Sequence, residues 1–146
     1  MSTVTRVSAG AQQKTNSSQS CLFQSYGTNK FAEILKNDKL TFDDIQKSFC
    51  GLSKKRLKLS TGNGGGRSGS LFFFSTDSKF LIKTLRGFEM SQILKNIDKF
   101  VNHFKETKND SLLGRIYGVF TFTIPNAPPM SFVIMQNVAM LKNTEE

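Results

Sequence analysis

The sequence predicts an α+β domain in which an antiparallel sheet carries a packed helix. Three observations predict it. Residues 70–75 and 79–86 read as two apolar strands around a tight turn, and residues 115–124 and 132–135 as two more. Residues 88–104 carry a helical stripe of Met90, Ile93, Leu94, Ile97, Phe100, Val101 and Phe104, with Gln92, Lys95, Asn96, Lys99 and Asn102 turned away. The resulting order is helices, strand, strand, helix, strand, strand, with connections short enough for antiparallel neighbours.

Each element has its own local reason. Residues 1–20 are rich in Ser, Thr, Gln and Asn, bury too little apolar surface to offset their ordering entropy, and read as a disordered tail. Residues 21–60 read as a helical lead-in. Phe31, Ile34 and Leu35 share one face of a short helix, and Phe42, Ile45 and Phe49 share a face of the next. Thr41 is a suitable N-cap, and Asp43 and Asp44 fall in the first turn, where the helix dipole favours them. Residues 61–146 then form the sheet domain. Asp77 and Ser78 suit the turn between its first strands because their side chains bond nearby backbone. In 115–124, Ile116, Phe120, Phe122 and Ile124 alternate with Thr121 and Thr123, which predicts a strand covered on one side. Pro125, Pro128 and Pro129 end it. The continuous run Phe132–Val133–Ile134–Met135 reads as a central strand.

Composition narrows the chemistry. The 146 residues make one domain, with 14 Phe, no Trp and a net charge of +9, which points to an anionic partner. No acid occurs between Ile45 and Thr76, whereas Lys54, Lys55, Arg56, Lys58 and Arg67 all do. That run is either a solvated loop or a patch facing an anionic membrane leaflet. Two cysteines and a single histidine are too few for a zinc site or a Ser-His-Asp or Cys-His nucleophile, so no metal site is expected. Both thiols, Cys21 and Cys50, read as reduced and partly buried, in a cytosolic protein. With no apolar run of spanning length, no spanning helix is expected, and the N-terminal residues read as lacking a secretory signal.

The stretch GNGGGRSGSLFFFSTDSKFLIKTLR, residues 62–86, holds the candidate site. Gly64, Gly65, Gly66 and Gly69 let backbone approach a ligand and aim N–H groups at a phosphate. In a hairpin, the strand carrying Lys83 returns toward that loop. Kinase N-lobes arrange a glycine-rich loop and a strand lysine in this way around ATP. From these residues alone, Lys83 could equally be a lysine snorkelling from an apolar strand.

The wording RSGSLFFFSTDSKFLIKTLRG resembles the glycine-loop segment of phosphatidylinositol phosphate kinases, types I and II. Tyr26, Phe31, Asp44 and Ser48-Phe49-Cys50 resemble the family's lead-in, SLLGRIYGVFTF its following strand, and FVIMQNVAM its hinge strand. The ordered matches run from about Phe23 to Leu141. The resemblance implies a lipid-kinase N-lobe, related to the protein-kinase N-lobe. It implies that Lys83 neutralises ATP phosphates, that Arg67, Ser68, Gly69 and Ser70 cover them, and that backbone at Met135, Gln136, Asn137 and Val138 recognises the adenine edge. Kinases pair the strand lysine with a helix acid. Helical geometry does not choose between Glu89 and Asp98, and the family's pattern points to Glu89. Lys54, Lys55, Arg56 and Lys58 would then face a phosphoinositide-bearing membrane, at which the protein is peripheral on the cytosolic side. A homodimer is also compatible.

Phosphoryl transfer needs Mg²⁺ on carboxylates and a proton acceptor. After Asp110 the only acids are Glu145 and Glu146. The family's MDYSL-like strand, DLKGS-like loop, IID motif and activation loop are absent. The expectation is therefore an ATP-binding lobe without catalytic residues, inactive alone, with Mg²⁺ ligands in a missing C-lobe. The alternative is a non-catalytic basic module that binds anionic phosphoinositide membranes. Nucleic acid is not expected, because successive residues of Phe72-Phe73-Phe74 point to opposite faces, so at most two of the rings share one stacking face.

Overall fold

The computed structural model describes residues 2–7, 21–50, 70–108 and 110–139. Strands β1 (Ser2–Val7), β2 (Cys21–Tyr26), β3 (Phe72–Phe74), β4 (Phe80–Leu85), β5 (Ile116–Thr123) and β6 (Met130–Gln136) form one antiparallel sheet in the order β1-β2-β5-β6-β4-β3. Helices α1 (Thr28–Asn37), α2 (Phe42–Phe49), α3 (Gly87–Lys95) and α4 (Ile97–Thr107) pack on it, which makes the fold α+β. The core gathers Phe31, Ile34 and Leu35 of α1, Ile45 of α2, Val101 and Phe104 of α4, and Phe80, Ile116, Tyr117, Val119 and Val133 of the sheet.

Four expectations are corrected. The tail is not wholly disordered: Ser2–Val7 pairs in register with β2, while the remaining residues of 1–20 lie outside those described. The lead-in is not helical from its start, because Cys21–Tyr26 is a strand between β1 and β5. The reason is a cross-strand aromatic pair, Phe23 against Phe120 with ring centroids 5.2 Å apart, which only a distant strand could supply.

The stripe of 88–104 belongs to two helices that meet at Asn96. There the backbone turns to φ −105°, and the Asn96 side chain donates to the Gln92 carbonyl at 2.8 Å. Asparagine competes with the helical ladder in this way, so the break falls on it. Finally, Phe120 and Phe122 do not share the face of Ile116. The register slips between Ile116 and Gly118, leaving Tyr117 as the extra residue of a bulge. Ile116 and Val119 then share the face of Met135 and Val133, while Phe120 and Phe122 pair with Phe132 and Met130 on the other.

The expected caps and turns explain the remaining geometry. Thr41 Oγ1 accepts the Asp44 N–H at 3.2 Å, and the Asp44 carboxylate accepts the Thr41 N–H at 2.8 Å. That reciprocal box starts α2. Asp77 takes hydrogen bonds from Ser75, Ser48 and the Lys79 N–H, which ties the β3–β4 turn to the end of α2. Gly27 precedes α1 at φ 59°, and a Cβ there would stand 2.6 Å from Ile97 Cδ1. Only glycine permits both that backbone and the close approach of α4.

Candidate functional site

Lys83 lies at the middle of β4, with Phe72 opposite it on β3 and Val133 on β6. Partners directly across a ladder point to the same face, so the lysine emerges beside Val133. α3 follows β4 after a single residue, and that short link brings its first turn over the same face. There Lys83 Nζ lies 2.5 Å from Glu89 Oε1, with the two side chains 19% and 31% exposed. Glu89 Oε2 also accepts the Arg86 N–H at 2.9 Å, so one carboxylate both starts the helix and holds the lysine. The Arg86 N–H first, and then the Lys83 ammonium, hold the Glu89 carboxyl below its ordinary range. Asp98, the other acid of the stripe, is engaged 2.7 Å from Lys30 on α1.

A cleft of about 460 Å³ opens beside this pair, walled by Leu85, Phe88, Ile93, Ile116, Val133 and Met135. Its size falls within the usual range for small-molecule sites, roughly 300–1,000 Å³. Its lining is mostly apolar and includes the Lys83 ammonium, the Glu89 carboxylate and the Gln92 amide. Phe88 is 74% exposed at the rim, so the stripe predicted for this helix does not include it in the core.

The end of β6 is more constrained than expected. The Gln136 N–H is donated to the Arg115 carbonyl and the Asn137 N–H to the Lys79 carbonyl, both at 2.9 Å. The Asn137 side chain is buried and donates to the Ser78 carbonyl at 2.7 Å. Two of the backbone groups expected between Met135 and Val138 to meet a base, the Gln136 and Asn137 N–H, are thus bonded inside the protein. Val138 is 49% exposed just beyond them. Ser70 is half-buried where the glycine-rich stretch enters the sheet. Next to it, the Leu71 N–H donates to Thr84 Oγ1 at 2.9 Å, which fixes the entry into β3. Arg67, Ser68 and Gly69 of that stretch, and the basic Lys54, Lys55, Arg56 and Lys58, lie outside the described residues.

The chain matches the family described as Phosphatidylinositol-4-phosphate 5-Kinase over residues 53–145, a span that contains Lys83, Glu89 and the end of β6. The chain belongs to the phosphatidylinositol-4-phosphate 5-kinase family. It is 30% identical over 108 residues to phosphatidylinositol 4-phosphate 5-kinase 7 of Arabidopsis thaliana, covering 74% of this chain and 14% of that protein. It is 34% identical over 105 residues to phosphatidylinositol 4-phosphate 5-kinase 1 of Oryza sativa subsp. japonica, covering 65% of this chain and 12% of that protein. It is 29% identical to phosphatidylinositol 4-phosphate 5-kinase-like protein 1 of Mus musculus, covering 73% of this chain and 26% of that protein. The chain thus spans a small part of the length of the relatives it matches.

Sequence reasoning assigned no role to Asp38, Arg115 and Tyr117, which meet where β5 begins. Arg115 Nε donates to Asp38 Oδ1 at 2.8 Å and Tyr117 Oη to Asp38 Oδ2 at 2.9 Å. Burial, then the neighbouring Asp38 carboxylate, push the Tyr117 hydroxyl well above its ordinary range. Arg115 and Tyr117 sit inside the RIYG run quoted for the resemblance, but their acid partner lies in α1's C-cap, too distant in sequence for any local pattern to show. Among the described residues, no three His, Cys, Asp or Glu side chains converge as a metal site, and no helix is long and apolar enough to cross a membrane.

Proposed function

We propose that this chain is the ATP-binding lobe of a phosphatidylinositol phosphate kinase that phosphorylates the inositol ring of a membrane phosphoinositide. The observation that carries the reading is the Lys83–Glu89 pair on the wall of an apolar cleft. Kinases use a strand lysine, held by a helix acid, to neutralise the phosphates of bound ATP. The cleft fits that group: Ile116, Val133 and Met135 offer a surface for an aromatic base, and the Lys83 ammonium offers a charge for phosphate oxygens. Glu89 keeps the ammonium from collapsing onto the apolar wall and orients it toward the opening.

Bound ATP supplies the phosphoryl group. The chain's own part is to hold the nucleotide, exclude water from one side of it and fix the lysine. The described residues do not fit Mg²⁺, since no carboxylates converge near the cleft, and the transfer step is not assigned to them. The chain alone is therefore expected to bind rather than to catalyse. Arg67, Ser68, Gly69 and Ser70 would cover the phosphates, Val138 would meet the base, and Lys54, Lys55, Arg56 and Lys58 would face an anionic, phosphoinositide-bearing membrane at the cytosolic side.

Titrating ATP into the chain and its Lys83→Ala and Lys55→Ala variants tests this. The expected result is saturable ATP binding weakened about tenfold or more by Lys83→Ala and unchanged by Lys55→Ala, as loss of a charge-assisted contact implies. The alternative, a non-catalytic module for anionic membranes, predicts no ATP binding and equal effects of both substitutions on phosphoinositide vesicles.

A further inference from the structure

We infer that Arg115 is a positioning residue for nucleotide recognition, acting through the end of β6. The inference rests on the proposed ATP-binding reading and concerns residues outside the cleft itself. Arg115 connects three elements. Its backbone carbonyl accepts the Gln136 N–H at the end of β6, and its Nε donates to Asp38, the C-cap of α1. Its Nη2 donates to the Lys108 carbonyl that closes α4, and its guanidinium lies 5.1 Å over the ring of Phe104. The Arg115 and Asp38 side chains are only 7% and 10% exposed, and Tyr117 satisfies the second Asp38 oxygen.

A buried guanidinium with its donors fixed by two helices cannot shift without leaving charge unpaired, so the carbonyl it carries is held in place. On the other side, Asn137 is clamped to the β3–β4 turn through Lys79 and Ser78. The segment leading to Val138 is therefore gripped from both flanks, and Arg115 is the flank anchored in the helices. Lys83 lies elsewhere on the sheet, registered against Val133 rather than Gln136. The consequence is a division of labour. Lys83 governs affinity for phosphate, and Arg115 governs affinity for the base without touching it.

Two ligands separate these roles: ATP and inorganic tripolyphosphate, titrated into wild type, Lys83→Ala, Arg115→Met and the milder Tyr117→Phe, each held below its unfolding temperature. Lys83→Ala should weaken both ligands. Arg115→Met should weaken ATP about tenfold and Tyr117→Phe about threefold, as loss of buried hydrogen bonds implies, with tripolyphosphate affinity unchanged in both. Arg115→Lys should recover part of the ATP affinity. Equal weakening of both ligands by Arg115→Met and Tyr117→Phe, or no weakening of either, overturns the inference while the Lys83 result stands. Loss of all Lys83 dependence overturns the ATP reading and this inference with it.

Discussion

Two ion pairs, Lys83–Glu89 and Arg115–Asp38, sit on the same sheet and serve opposite ends. The first opens on a cleft, with its carboxylate 31% exposed and shared between a lysine and a helix N-terminus. The second is closed over, with both partners at or below 10% exposure and Asp38 bonded through both oxygens. A pair that water reaches holds its charges loosely enough for a ligand to compete for the ammonium, and contributes little to stability. A pair withdrawn from water is costly to break, because the abandoned partner remains buried. The contrast separates a place built to exchange partners from a place built to keep them.

Substitutions at the two pairs should therefore differ in kind. Asp38→Ala strands the Arg115 guanidinium and should cost about 3–5 kcal/mol in denaturant unfolding. A cost near that of a surface pair would erase the contrast. Lys83→Ala should lower unfolding stability by no more than about 1 kcal/mol, since the pair is partly solvated. Isothermal titration should show that its main effect is on ATP affinity. Thr41→Ala removes the side-chain half of the α2 cap, which belongs to neither pair, and should cost ~1 kcal/mol with ATP binding untouched. A change in ATP affinity there would mean that stability alone drives the binding effects.

The smallest effect is in pH. Because the Glu89 carboxyl is held below its ordinary value of 4.5, the folded state binds its proton more weakly than the unfolded chain does. Its stabilisation is complete above that value and is lost as the pH falls through the lowered folded value. The stability difference between wild type and Glu89→Gln, followed by unfolding at stepped pH, should be flat near neutrality and shrink only in acid. A difference that shrank as the pH rose would reverse the assigned sign.

Much of the fold was readable from local pattern. Residues 79–86 and 115–124 contain strands β4 and β5, residues 132–135 fall within β6, and the Thr41 cap and Asp77 turn form as their chemistry requires. What was not readable depends on partners far away in sequence. Cys21–Tyr26 becomes a strand because β5 and β1 flank it. The Tyr117 bulge, invisible as a period, moves Phe120 and Phe122 to the face opposite Ile116. At the site, Lys83 stood out as a lone charge in an apolar strand, whereas helical spacing left Glu89 and Asp98 equivalent. Their distances to Lys83 and Lys30 separate them in the fold.

By itself the sequence determined the alternation that makes strands, the stripe that makes helices, the basic balance and the family wording around Lys83. Those are properties of neighbours along the chain, where backbone geometry and solvent act over a few residues. Only the tertiary structure decided which acid meets which base, where the long stripe breaks, and that the Gln136 and Asn137 N–H groups are already used. Hydrogen bonds and ion pairs are settled within about 3 Å in space, and residues as far apart as Asp38 and Arg115 reach that distance only when helix and sheet close on one another.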